Sequence, residues 1–173
     1  APRRGDLTYV GRLRGYRDLT ESTNVDFGGS FAHGTSVEGV HGLHTQLMGA
    51  DLTLRWRPLR RAIYRRFLAR TELVWSRRDL AGGEVARAFG VYGSADYQFG
   101  RRWFTGLRLD RSERADDPSL VDKAVSATLT YWPSEFSQVR AQYRHVSYGE
   151  GIKADELLFQ FLFSIGAHGA HTF

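Results

Sequence analysis

The sequence predicts an all-β fold of about nine antiparallel strands, and three observations predict it. Apolar and polar residues alternate with a period of two, strand-like runs are broken by Gly, Asp, Pro and Ser clusters, and no sustained helical period competes with them. The segment LMGADLTLRWR shows the period most cleanly: Met48, Ala50, Leu52, Leu54 and Trp56 share one parity, while Asp51, Thr53, Arg55 and Arg57 share the other.

Taken in chain order, Leu7 to Gly15 gives the faintest strand signal and Asn24 to Ala32 the second, followed by the Met48 to Trp56 run. Phe67 to Arg78, Ala88 to Phe99, Trp103 to Asp110, Ala124 to Tyr131, Ser137 to Arg144 and Glu156 to Ile165 complete the series. Many of these runs reach ten residues, beyond the ~5–6 usual in soluble sandwiches, which favours a barrel wall. The connections alternate in kind. TEST, PLRRAIYR, GRR and WPSE are compact, whereas GTSVEGVHGLHT, RDLAGGEV, RSERADDPSLV and GEGIKAD are mostly longer and polar or Gly-rich. Outer-membrane barrels pair tight turns on one side with long loops on the other. RPLRRAIYRRFLAR also admits a short basic amphipathic helix with Leu59, Ile63, Phe67 and Leu68 on one side, against a turn that enters a strand.

From the second strand onward, the apolar parity carries no charge over its alternating stretch, although 25% of the chain is charged. The opposite parity is polar to mid-strand, with Asp51, Arg55, Arg70, Glu72, Asp96, Arg108, Arg140 and Arg144 as the residues expected to line a wet lumen. Those charges are of both signs, so a ladder that stiffens the wall competes with an anion-favouring lumen as their role. Trp56, Phe67, Phe99, Trp103, Tyr131 and Phe136 fall at strand ends beside the compact turns, and Trp75 and Phe89 at the opposite ends. Two aromatic rows suit rings lying at lipid headgroup level. The tilted rise from Phe67 to Trp75 or from Phe89 to Phe99 is roughly 20–25 Å, the height of a barrel's apolar band. The expected fold is therefore an antiparallel up-and-down transmembrane β-barrel wall, with residues 1–173 as a single barrel domain or the C-terminal portion of one.

Composition sets the remaining bounds. A chain of 173 residues supports one fold unit, and its formal charge of +5 is scattered. The absence of cysteine removes disulfide frameworks, thiol catalysis and Cys-ligated metals. No apolar stretch approaches the ~18 residues of a membrane helix, a test that barrel strands escape. APRRGDL has no apolar segment behind its arginines, so an exported protein would be represented here by a mature or partial chain.

In STNVDFGGSF, GADLTLRWRPLRR, YGSADYQFGRRWFTGLRLD and ELLFQFLFSIGAHGAHTF the sequence resembles the C-terminal part of a Gram-negative outer-membrane β-barrel, porin-like or like the barrel of a TonB-dependent receptor. The likeness covers essentially the whole chain and is one of pattern. It implies that the final amphipathic strand, with Phe159, Phe161 and Phe163, and the terminal Phe173 form the signal read by the barrel-assembly machinery. Gly166 to His171 interrupts the alternation before Phe173, a departure that shifts the signal toward the Phe159 to Ile165 strand. It also implies a bacterial outer-membrane location, with outer-membrane lipid and lipopolysaccharide as surroundings. Since single-chain bacterial barrels have even strand numbers, nine strands suggest part of a larger barrel, and loss of the faint first strand would leave a complete eight-stranded one.

No hydrolase, P-loop or dinucleotide motif is present, and the chain is not read as an enzyme. His145 and Ser147 lie near one another, as a lipid-hydrolysing site would need, but no orienting partner is evident. His41, His44, His168 and His171 are the candidate metal ligands; without nearby carboxylate or thiol pairs they predict no metal site, and no cofactor is expected. Arg60, Arg61, Arg65 and Arg66 form the one dense basic cluster, and with no stacking platform beside it nucleic acid is not an expected partner. The expected function is passage of small polar solutes through a pore or receptor. The alternatives are a small closed eight-stranded barrel with a structural or partner-binding role, and a soluble ligand-binding β-barrel with Leu52, Leu73, Val91 and Phe161 in its core. Oligomeric state is not read from the sequence.

Overall fold

Residues 7–35, 43–81 and 83–164 are described in a computed structural model. Nine strands follow one another: β1 (Tyr9–Thr20), β2 (Thr23–Thr35), β3 (His44–Trp56), β4 (Arg66–Asp79), β5 (Val85–Gln98), β6 (Trp103–Glu113), β7 (Val121–Ser134), β8 (Ser137–Ser147) and β9 (Lys153–Phe163). Each pairs antiparallel with its chain neighbours, giving one up-and-down sheet in sequence order. β1 and β9 each pair on one side only, so the sheet is not closed among the described residues.

All nine expected strands are present, and most run further than the alternation. At the ends away from the compact turns, segments such as Arg77–Asp79, Arg111–Glu113 and Lys153–Asp155 keep the hydrogen-bonded ladder while their side chains turn charged, so the backbone continues where the pattern stops. Ile165 lies outside the described residues. RPLRRAIYRRFLAR forms turns and the start of β4 rather than a helix: Tyr64 N and Arg65 N both donate to Arg61 O, at 2.9 and 3.0 Å. Phe67 and Leu68 then point to opposite faces of β4.

The ladders hold one set of side chains on each face. Leu54 faces Ala69, Leu73 faces Val91, Leu107 faces Ala127, and Ala141 faces Phe159, all on the apolar face. That face is not covered: Leu52 is 44% and Phe161 67% exposed, and the only buried hydrophobic residues among those described are Ala124 and Val146, which belong to the polar face. Of the four residues the soluble reading places in a core, Leu52 and Phe161 are exposed and Leu73 and Val91 half-buried in the described sheet. The edge strands are barer still, with Leu13 84% exposed.

Turns sort by end. The lower end carries Glu21–Ser22, residues 57–65, 99–102 and Glu135–Phe136; among the described residues the upper end carries residues 80–81, 83–84, 114–120 and 148–152, and β2 ends and β3 begins there. In two upper turns Gly83 and Gly151 sit at φ of +86° and +84°, the left-handed position that closes a short hairpin. Gly149 has a different reason to be glycine. A Cβ there would lie 2.7 Å from Val121 N and 2.8 Å from Leu120 Cα, so its backbone packs directly against the preceding upper loop. Replacing Gly149 with alanine is therefore expected to destabilise the folded chain by about 1–3 kcal/mol, read as a lowered midpoint in urea unfolding; an unchanged midpoint would show that the two loops do not pack this way.

Candidate functional site

The site is the polar face, and its parts are placed by register. Running across the strands, Asp26, Thr53, Arg70, Ser94, Arg108, Ser126, Arg144 and Glu156 are successive cross-strand partners. From β4 to β8 this row alternates arginine with serine, so Arg70 and Arg108 have a small neighbour on either side, and Arg144 has Ser126 on one side and Glu156 on the other. One row toward the upper end run Asp51, Glu72, Tyr92 and Asp110. Two rows toward the lower end, Arg66, Gln98, Phe104, Thr130 and Arg140 share another line. All eight residues expected to line a lumen thus lie on one face.

Polar-face side chains from β4 to β8 line a single open cavity of about 550 Å³. For five consecutive strands to line one cavity, the sheet must curl around its polar side, leaving the apolar face convex. Gly106 sits in this concavity, where a Cβ would fall 2.4 Å from Asp96 Oδ1 and 2.7 Å from Thr128 Oγ1.

Half of the expected lumen charges are already paired. Arg12 donates to both oxygens of Asp51 at 2.9 and 2.8 Å, reaching across Gly28. Asp26, 5% exposed, takes Arg14 at 2.9 Å on one oxygen and Arg55 on the other, which ties β1, β2 and β3 together. Arg108 meets Asp110 at 2.7 Å and lies over the Tyr92 ring, its Cζ 3.9 Å from the centroid. Arg144 reaches Glu156 at 3.2 Å. The other half, Arg70, Glu72, Asp96 and Arg140, has no ion pair among the described residues, although Arg140 donates to Thr130 Oγ1 at 3.0 Å.

Sequence reasoning missed three contributors. Arg66 was grouped with the basic turn, yet it opens β4 on the polar face and lines the cavity. Gln98, fully buried, donates from Nε2 to the carbonyls of Ile63, Gly100 and Arg101 at 2.8, 3.0 and 3.2 Å, and so draws residues 57–65 against the lower end of that face. A lone amide at a strand end carries no pattern that would reveal this. Arg14 lies on the faintest strand.

The apolar face carries the expected aromatics. Trp56 and Phe67 are cross-strand partners, Trp103 and Tyr131 meet in a tilted pair with centroids 4.5 Å apart, Phe99 and Trp103 lie at 6.5 Å, and Phe136 sits in the adjoining turn. At the upper end Trp75 meets Phe89 at 5.5 Å. From β3 to β9 the Asp, Glu, Lys and Arg residues of this face occur only in the upper halves of the strands, as with Arg77, Arg87, Arg111, Lys123 and Asp155, and by register Arg111 lies opposite Val91, one row below the Trp75–Phe89 pair. Phe159, Phe161 and Phe163 line the exposed edge strand, and Phe173 is outside the described residues.

Of the candidate histidines, only His44 is among the described residues, where it stacks on His33 at 5.1 Å; His41, His168 and His171 lie outside them. His145 does have a partner the sequence did not reveal: its Nδ1 lies 2.7 Å from Asp155 Oδ1, to which Tyr143 Oη also donates at 2.7 Å. Ser147 makes no hydrogen bond to His145, so the pair stitches β8 to β9 without a poised nucleophile.

At the upper loops, Arg114 joins Asp122 at 3.1 and 3.2 Å and Glu150 at 2.7 Å, and Gly149 N donates to Asp122 at 2.8 Å. The Arg114 hydrogen bond holds the Glu150 carboxyl below its ordinary range, and Ser119 does the same for Asp117.

No protein-family model matches the chain, and no solved structure does. An uncharacterised protein of Aquifex aeolicus (strain VF5) is 32% identical over 96 residues, a match covering 49% of this chain and 20% of that protein. The chain thus spans about a fifth of the relative it matches.

A carboxylate whose folded pKa is lowered stabilises the fold above its ordinary value and loses that contribution as pH falls through the lowered one. Glu150→Gln is expected to lower the thermal midpoint at neutral pH by an amount that shrinks as the medium is acidified below about pH 4.5. A difference that stays constant down to pH 3 would show that Arg114 does not hold Glu150.

Proposed function

We propose that this chain forms part of the wall of an outer-membrane β-barrel, a pore or receptor through which small polar solutes pass. The observation that carries the reading is the direction of curl: the polar face is concave and the apolar face convex. A soluble barrel or sandwich encloses its apolar side chains, whereas a barrel in lipid turns them outward and keeps water within.

The bounded apolar band supports the same reading. Lower aromatics at Trp56, Phe67, Trp103 and Tyr131, upper aromatics at Trp75 and Phe89, and apolar-face charges confined to the upper halves of the strands give a sequence of environments that suits interface, hydrocarbon and interface. Nine strands with two unpaired edges favour part of a larger barrel over a closed eight-stranded one, because closure requires a partner for both β1 and β9. Phe159, Phe161 and Phe163, on the β9 edge, are the residues offered to the assembly machinery, and lipopolysaccharide is the surrounding of the charged upper rim.

Boiled and unboiled samples of fractionated native envelopes, blotted for this chain, test the proposal. A heat-shifted band in the outer-membrane fraction, well above 20 kDa, is the expected outcome, and a soluble band without a shift overturns it. Leu73→Arg places a charge mid-wall opposite Val91. It is expected to cost about 2–4 kcal/mol at the bilayer midplane and to deplete the heat-shifted form, while Ser94→Asp, a charge on the polar face between Arg70 and Arg108, leaves it intact.

A further inference from the structure

We infer that the concave cavity is a binding site for a small organic anion bearing two or more oxyanion groups, such as phosphoryl or carboxylate. The inference deepens the pore reading and rests on it for the route by which the anion reaches the face.

The argument is one of unmatched charge. Four arginines line the cavity, Arg66, Arg70, Arg108 and Arg140, against one carboxylate, Asp96. Arg108 is spoken for by Asp110; Arg66, Arg70 and Arg140 have no ion pair among the described residues, and Asp96 neutralises none of them within salt-bridge distance. A ladder that only stiffened the wall would pair its charges, as Arg55, Arg108 and Arg144 are paired.

Arg66 supplies a second, independent observation. Its Nε donates to Ala62 O at 2.9 Å, which fixes the guanidinium, yet its Nη2 is buried with no hydrogen-bond partner. A buried unpaired donor is costly, more so when charged. Arg66 and Arg140 stand on one cross-strand row, with Thr130 beside Arg140. The planar fork of each guanidinium suits two oxygens of a phosphoryl or carboxylate group, and Ser126, Thr128 and Gln142 add hydroxyl and amide donors around the same space.

The test uses the full-length protein, extracted from native envelopes in detergent and titrated calorimetrically with pyrophosphate and, separately, with citrate. At least one anion is expected to bind, more weakly as salt is raised, and the two arms distinguish a phosphoryl from a carboxylate ligand. Arg70→Gln with Arg140→Gln should weaken binding at least tenfold. Asp96→Asn, which removes the one carboxylate that lines the cavity, should strengthen it, a gain that misfolding does not produce. Failure of both anions to bind, or unchanged binding by the double variant, overturns the site. The heat shift of the same preparations judges the wall separately: a shifted protein that binds neither anion keeps the wall and loses the site, and binding without a shift does the reverse.

Discussion

The eight cross-strand registers keep two chemically opposed faces apart, because a slip of one residue in any ladder would carry that strand's whole apolar set to the other side. Leu73 opposite Val91 and Arg70 opposite Ser94 are consequences of the same alignment. So is the curl, since the wall bends toward the face where Gly28, Gly106, Ser94 and Ser126 leave room and away from the one crowded by Trp, Tyr, Phe and Leu. The two ion-paired bridges at Asp26 and Asp51 fix the register of β1 to β3 from the polar side, and the Trp56–Phe67 and Trp103–Tyr131 pairs fix others from the apolar side.

Within the polar face, two uses of charge coexist. Toward β1 and β9, arginines and carboxylates are matched across or along strands: Arg12 with Asp51, Arg14 and Arg55 with Asp26, Arg144 with Glu156. In the middle, from β4 to β8, cations outnumber their partners. The same residue types thus act as rivets at the flanks and as an open electrostatic surface at the centre, and what separates the two is whether the registers bring an acid within reach of the guanidinium.

The nine strands were legible in the sequence because each apolar residue sits two positions from the next, a signal that survives without any knowledge of partners. The limits of the strands were less legible: Arg77 to Asp79 and Arg111 to Glu113 lose the alternation while their backbones remain paired. Side-chain parity placed all eight polar-face charges from Asp51 to Arg144 correctly on one face. It could not tell paired from spare, since that depends on which strands lie side by side. Arg66 looked like one more charge in a basic turn, and the Gln98 tie to Ile63 and the His145–Asp155 contact join residues that only the folded registers bring together.

Because every ladder joins consecutive strands, no described segment crosses over or threads through another. Such a meander is built of hairpins that each contact only the next, so its contacts are short in sequence and it can zip from one edge. It can also gain or lose a hairpin without rewiring the rest. The circumference of such a wall is therefore adjustable by duplication or deletion in steps of two strands, and with it the width of whatever the wall encloses.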